Sequence, residues 1–246
     1  MSRAFSNSEN GATDDRTVEV VLWGGREVGK STLLAAYLCH EPPKWVDLND
    51  QETRATIDLL GSEVWNFLRT NRVPIATNNP QFYPVRHKTG SRIRFRDMKG
   101  GNASDLARNK EDAEALRRAD AVMILLEWPG SHRTVLDLLA AETALRSAHH
   151  CPLVVVITKA ESYLTRERLA LFSMSPLETA AGMELPPDFV EFLRRVPAAD
   201  IVPVSVYGYA GEHPAHYRDE FGRLVPRHIR PINVSLPFER ALAAII

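Results

Sequence analysis

Apolar residues are distributed along this chain in two alternating rhythms. Short unbroken runs stand at residues 17–23, 121–126, 153–158 and 201–205, each too short for a helix and followed by turn-forming or polar residues. Such runs predict strands buried on both faces. Between them, residues 30–39, 105–118, 135–148, 162–172 and 187–195 have helix-forming composition. Ile57, Leu60, Val64, Phe67 and Leu68 recur at helical spacing and predict an amphipathic helix inside a long stretch at 41–74. Residues 81–87 and 92–98 flank Lys88-Thr89-Gly90-Ser91, a tight connection that predicts an antiparallel hairpin. Strands alternating with helices predict an α/β fold: three layers around a doubly wound, mainly parallel sheet with one antiparallel hairpin strand. Its ligand is expected at the carboxyl ends of the strands. Residues 237–246 read as a final helix and residues 1–16 as a mobile polar tail.

Composition narrows this picture only slightly. With 246 residues, 44% hydrophobic and 25% charged, the chain suits a single α/β domain over 17–246. That domain carries a helical insertion at 41–74 and a Pro-rich extension at 208–246. A formal net charge of -1 gives no general attraction to nucleic acid or anionic lipid, so neither is expected as a partner. No apolar stretch reaches a membrane-spanning length, and the polar start lacks a signal-peptide core, which predicts a cytoplasmic protein. Cys39 and Cys151 are expected to be isolated buried thiols.

Candidate chemistry enters immediately after the first apolar run. Residues Gly24-Gly25-Arg26-Glu27-Val28-Gly29-Lys30-Ser31 spell G-x-x-x-x-G-K-S and lead into the helix-forming Thr32-Leu33-Leu34-Ala35. Strand, glycine turn and helix are the setting a phosphate-binding P-loop needs. Glycines let successive N–H groups turn inward around an anion, and a diphosphate then sits against a helix N-terminus. Lys30 is the candidate for the β- and γ-phosphates, and the Ser31 hydroxyl for Mg²⁺. A second element, Asp97-Met98-Lys99-Gly100, forms D-x-x-G at the end of a hairpin strand. There Asp97 can hold Mg²⁺ through water, and the Gly100 amide can sense the γ-phosphate.

A third element follows the run 153–158, where Thr158-Lys159-Ala160-Glu161 stands at a strand end. With it the chain resembles the P-loop GTPases of the Ras-like and translation-factor class, whose base-recognition motif is N/T-K-x-D. The resemblance implies that the Lys159 stem stacks on guanine while Glu161, in place of the family's Asp, accepts hydrogen bonds from the base. Ser205-Val206-Tyr207 stands where that family has S-A-K, a loop that offers a backbone N–H to guanine O6. The elements come in the family's order over residues 17–207, and the resemblance implies a Ras-like G domain that takes GTP or GDP with Mg²⁺. The long first loop and the Pro-rich tail are similar to those of larger bacterial GTPases with helical insertions.

The same family needs a Thr that closes over Mg²⁺ and the γ-phosphate. Candidates are Thr53, Thr56, Thr70 and Thr77; Thr77 is preferred because 74–80 is non-helical and directly precedes the hairpin, whereas Thr53 and Thr56 read as surface residues of a helix. Many relatives place Gln after the D-x-x-G glycine to orient water, but Gly101 stands here. Bulky Arg26 and Glu27 occupy P-loop positions that are small in Ras proteins, and Arg26 is a candidate to stabilise charge at the γ-phosphate. The expected activity is slow GTP hydrolysis to GDP and phosphate, controlling an effector or activating protein. ATP is the less favoured nucleotide; a P-loop ATPase or phosphotransferase, or a pseudo-GTPase that binds without cleaving, stays open as an alternative. Arg92, Arg94 and Arg96 read as the solvated stripe of a sheet edge, and His213, His216 and His228 lack matching carboxylates in the sequence nearby.

Overall fold

The computed structural model describes residues 16–70, 80–99, 110–127, 151–181, 183–196, 200–243 and 245. Its centre is a six-stranded sheet in the order β2-β3-β1-β4-β5-β6. The strands are β1 (Thr17–Gly24), β2 (Gln81–Arg86), β3 (Arg92–Asp97), β4 (Ala121–Glu127), β5 (Leu153–Thr158) and β6 (Ile201–Pro203). Strand β2 runs antiparallel to β3 and all other neighbours are parallel. The fold class predicted from the alternating pattern is the one observed.

The sheet separates two cores because alternate residues of β1 face opposite ways. Val18, Val20 and Leu22 pack under helices α1 (Lys30–Ala35, prolonged by a π-helical turn Ala36–His40), α2 (Gln51–Leu60) and the C-terminal α8 (Leu236–Ala243). Val21 and Trp23 face α4 (Lys110–Arg118), α5 (Arg166–Met174) and α7 (Pro187–Arg195). The amphipathic segment predicted inside 41–74 runs from α2 through a π-helical turn, Gly61–Trp65, into the single turn α3 (Asn66–Arg69). Leu60, Val64 and Leu68 of that segment are buried in the first core. The predicted helix at 135–148 and the start of the one at 105–118 lie outside the described residues, as do residues 1–15 of the predicted tail.

Five readings of the sequence change or gain detail in the structure. Thr53 and Thr56 are not surface residues: they are 0% and 4% exposed and join α2 to the sheet edge. The Thr53 hydroxyl accepts from the Arg86 N–H at 2.8 Å, and Thr56 donates to the Pro84 carbonyl at 2.7 Å. Both partners lie on the outer side of edge strand β2, whose backbone groups are thereby satisfied and shielded from a foreign strand. Asp50 caps the same helix, accepting from Thr53 N–H at 2.8 Å.

The arginine stripe, secondly, is not on a sheet edge. Strand β3 lies between β2 and β1, and Arg94 and Arg96 both reach Glu19 on β1 while lying over the Phe82 ring. Thirdly, the Pro-rich extension is folded into two small ribbons, β7 (Tyr209–Ala210) with β8 (His213–Pro214), and β9 (His216–Arg218) with β10 (Leu224–Pro226). The helix predicted at 162–172 begins later, at Arg166, and is followed by α6 (Pro176–Ala180), which the apolar pattern did not reveal. Cys39 and Cys151, finally, are free thiols only half-buried, and burial pushes Cys39 up to about 11.

Candidate functional site

All the motif residues among the described ones follow the carboxyl ends of β1, β3, β5 and β6, on one rim of the sheet. At Gly24 the chain turns so close to β4 that a Cβ would stand 2.3 Å from the Leu125 carbonyl oxygen, so only glycine fits. Glu27 holds φ at 62°, a left-handed conformation uncommon for a residue with a Cβ. Val28 is buried against the turn, Thr32 is half-buried, and Arg26 and Glu27 stand exposed in a loose pair at 3.9 Å.

Lys30 is folded back into this loop. Its ammonium donates to the carbonyls of Gly24 at 3.3 Å and Gly25 at 3.0 Å, and its residue is 7% exposed. Ser31 donates its hydroxyl to the Asp97 carboxylate, which is fully buried. The second Asp97 oxygen is buried with no hydrogen-bond partner among the described residues. Burial pushes the Lys30 ammonium down and the Asp97 carboxyl up, each opposed by the charge of the other. A carboxylate and a hydroxyl side by side, with one oxygen left over, are a hard donor set suited to Mg²⁺. Thr77 and Gly100 lie outside the described residues.

The second half of the site is built where β5 and β6 end. Thr158 donates to the Leu126 carbonyl at 3.1 Å, and the backbone then enters the left-handed region at Lys159, φ 54°. The Lys159 ammonium stands 2.7 Å from Glu127 at the end of β4. Ala160 to Ser162 form a 3-10 turn, which turns Glu161 inward until it is 2% exposed. Burial pushes its carboxyl up to about 7, opposed first by a hydrogen bond from Ser205. Ser205 is fully buried and accepts the Gly208 N–H at 2.7 Å, while the half-buried Val206 follows it. Gly208 is obligatory here: at φ 77° a Cβ would lie 2.0 Å from the Arg230 carbonyl oxygen.

Two residues of this end escaped sequence reading. Glu127 had a signal, an acidic residue closing an apolar run beside the strand that ends in Lys159. His216 had none, and the expectation that it lacks a carboxylate is corrected: its Nδ1 lies 3.7 Å from Glu161 Oε1 across the fold. His213 and His228 are exposed.

No protein-family model matches the chain. No curated protein matches it either. Among solved structures, a tyrosine-to-alanine variant of Era from Aquifex aeolicus bound to GDP.AlF4- is 19% identical with a TM-score of 0.42, over 77% of this chain and 51% of that one. Era in complex with MgGDPNP and a segment of 16S ribosomal RNA is 18% identical with a TM-score of 0.40, over 77% and 51% of the two chains. The chain spans about half the length of both structures.

Proposed function

We propose that this chain is a GTP-binding molecular switch that hydrolyses GTP slowly with Mg²⁺ and controls a partner macromolecule. The observation that carries the proposal is the gathering of four sequence-distant elements on one rim: the loop 24–31, Asp97, the turn 159–161 and Ser205. A diphosphate entering the loop offers Lys30 an anionic partner in place of two carbonyls. Ser31 and Asp97 are the residues that hold Mg²⁺, which when bound neutralises charge on the phosphates. Glu161, held by Ser205, is the acceptor for a guanine base, and Lys159 lines its face.

In the proposed cycle Thr77 and Gly100 respond to the γ-phosphate, and loss of that phosphate releases their loops from the partner surface. Gly101 in place of a water-orienting Gln makes the chemical step slow. Arg26, exposed on the loop rim, is a second cationic group within the motif, beside Lys30, available to the γ-phosphate. A balanced net charge does not exclude a local RNA contact, so the expectation that nucleic acid plays no part is not carried into the proposal. Among the described residues no helix is long and apolar enough to cross a membrane.

The test is the identity of nucleotide retained through purification, read by chromatography after denaturation, with fluorescent GDP and ADP titrations alongside. GDP or GTP retained, and a GDP preference over ADP lost in Glu161→Ala, is the expected result. Retained ATP, or equal affinity for both bases, overturns the guanine assignment.

A further inference from the structure

The ribbon that follows the sheet reaches back onto the base-recognition end of the site. His216, the first residue of β9, faces Glu161 with Nδ1 3.7 Å from Oε1, and the two side chains are 9% and 1% exposed. His216 Nδ1 and Glu161 Oε2 are both buried and make no hydrogen bond among the described residues. Buried polar atoms are normally paired, so one such atom on each of two residues in contact marks a place built for something beyond packing. The imidazole's position is well defined: its Nε2 lies 3.5 Å from the Ser162 hydroxyl, and its ring lies 5.9 Å from that of Tyr207. Its backbone is held too, since the preceding Ala215 donates to Gly208 at 2.8 Å and accepts from Arg227 at 2.8 Å. His216 thus bridges the turn after β5 and the loop after β6.

Glutamate at this position is one methylene longer than aspartate, with one more torsion to restrain. Ser205 restrains it from the loop after β6, and His216 stands beside it on the ribbon. We propose that His216 is a positioning residue that sets base selectivity by bracing the longer Glu161 carboxylate from the ribbon, so that the carboxylate accepts from N1–H and the 2-amino group of guanine. The inference rests on the guanine reading above and adds to it a determinant from outside the motifs.

The experiment is a titration of fluorescent GDP, IDP and ADP against the full chain and its His216→Ala, Glu161→Asp, doubly substituted and His216→Asn forms. IDP lacks only the 2-amino group. In the unsubstituted chain GDP is expected to bind about tenfold tighter than IDP. His216→Ala is expected to remove most of that preference while leaving ADP affinity unchanged. In the Glu161→Asp background the same change is expected to alter the preference by less than about twofold, because the shorter carboxylate needs no second restraint. His216→Asn, whose amide nitrogen falls near the place of Nδ1, is expected to restore selectivity.

An unchanged GDP-to-IDP ratio in His216→Ala overturns the proposal. Equal losses in the Glu161 and Asp backgrounds, or a matching loss for ADP, also overturn it by showing that His216 acts through general packing. If the unsubstituted chain binds no guanine nucleotide, the guanine reading itself fails, and that failure is visible before any variant is compared.

Discussion

The Ser31 hydroxyl donates to the Asp97 carboxylate, tying the residue after the P-loop lysine to the end of β3 across 66 positions of sequence. Asp97 nevertheless keeps one buried oxygen without a partner among the described residues, an arrangement that a cation completes. Asp97→Asn is therefore expected to lower GDP affinity in Mg²⁺ to the level that the unsubstituted protein shows in EDTA. Isothermal titration in the two buffers checks this, and a variant that still gains affinity from Mg²⁺ contradicts it. Folding stability of the nucleotide-free protein should change by no more than about 1 kcal/mol, because burial already disfavours the charged form.

The elevated carboxyl of Glu161 makes stability and nucleotide affinity slope in opposite directions with pH. Folded protein keeps a proton there up to about 7, whereas the unfolded chain releases it near the ordinary 4.5. The folded state binds more protons inside that window, so stability falls as pH rises through it, by on the order of 3 kcal/mol. Lys159, Glu127, Ser205 and His216 face the group, and burial, Arg218 and Lys159 all push the His216 imidazole down. An ionised acceptor is what guanine requires, so GDP affinity should rise over the same range. Urea titrations and GDP titrations at matched pH check both slopes, and Glu161→Gln should flatten them.

The seam between α2 and β2 predicts a large cost for a conservative change. Thr56→Val keeps the shape but leaves the Pro84 carbonyl, on the outer side of the edge strand, without its donor. A loss of about 1–3 kcal/mol is expected. Thr53→Val should cost at least as much, since its hydroxyl serves both Asp50 and the Arg86 N–H. Chemical denaturation checks the pair, and losses near zero would show that water replaces both threonines.

Gly24→Ala is expected to fail at the strand end rather than in the loop. The added Cβ would lie 2.3 Å from a β4 carbonyl, so β1 and β4 must separate at a cost of about 2 kcal/mol or more. Thermal unfolding of the nucleotide-free variant isolates this from any effect on phosphate binding.

Turnover by the purified protein should be on the order of 10⁻² s⁻¹ or slower, given Gly101 in place of a water-orienting Gln. Single-turnover phosphate release measures it. Several turnovers per second without a partner would contradict the slow-switch proposal.

The parallel strands could be read in the apolar runs because strands buried on both faces leave a nearly continuous signal, as 153–158 does. The turn between β1 and α1 was equally legible, since its glycines and lysine lie close together in sequence. What escaped is what only tertiary pairing creates. Thr53 and Thr56 look like ordinary surface residues until the edge strand lies beside them. Arg94 and Arg96 look solvated until Glu19 and Phe82 flank them on neighbouring strands. His216 and Glu161 carry no joint pattern at all, because a ribbon of short strands with weak alternation brings them together.

The return of the C-terminal segment gives the site an unusual dependence. Ser205 exchanges backbone hydrogen bonds with Ile232 at 3.1 and 2.7 Å, and α8 then packs beneath the sheet. The loop after β6 that faces Glu161 is thus closed by a segment lying beyond both ribbons in sequence. A chain in which the Ser205–Ile232 pairing is broken would lack the clasp on its base loop. Under the guanine reading, discrimination between bases then doubles as a readout of whether that clasp is in place.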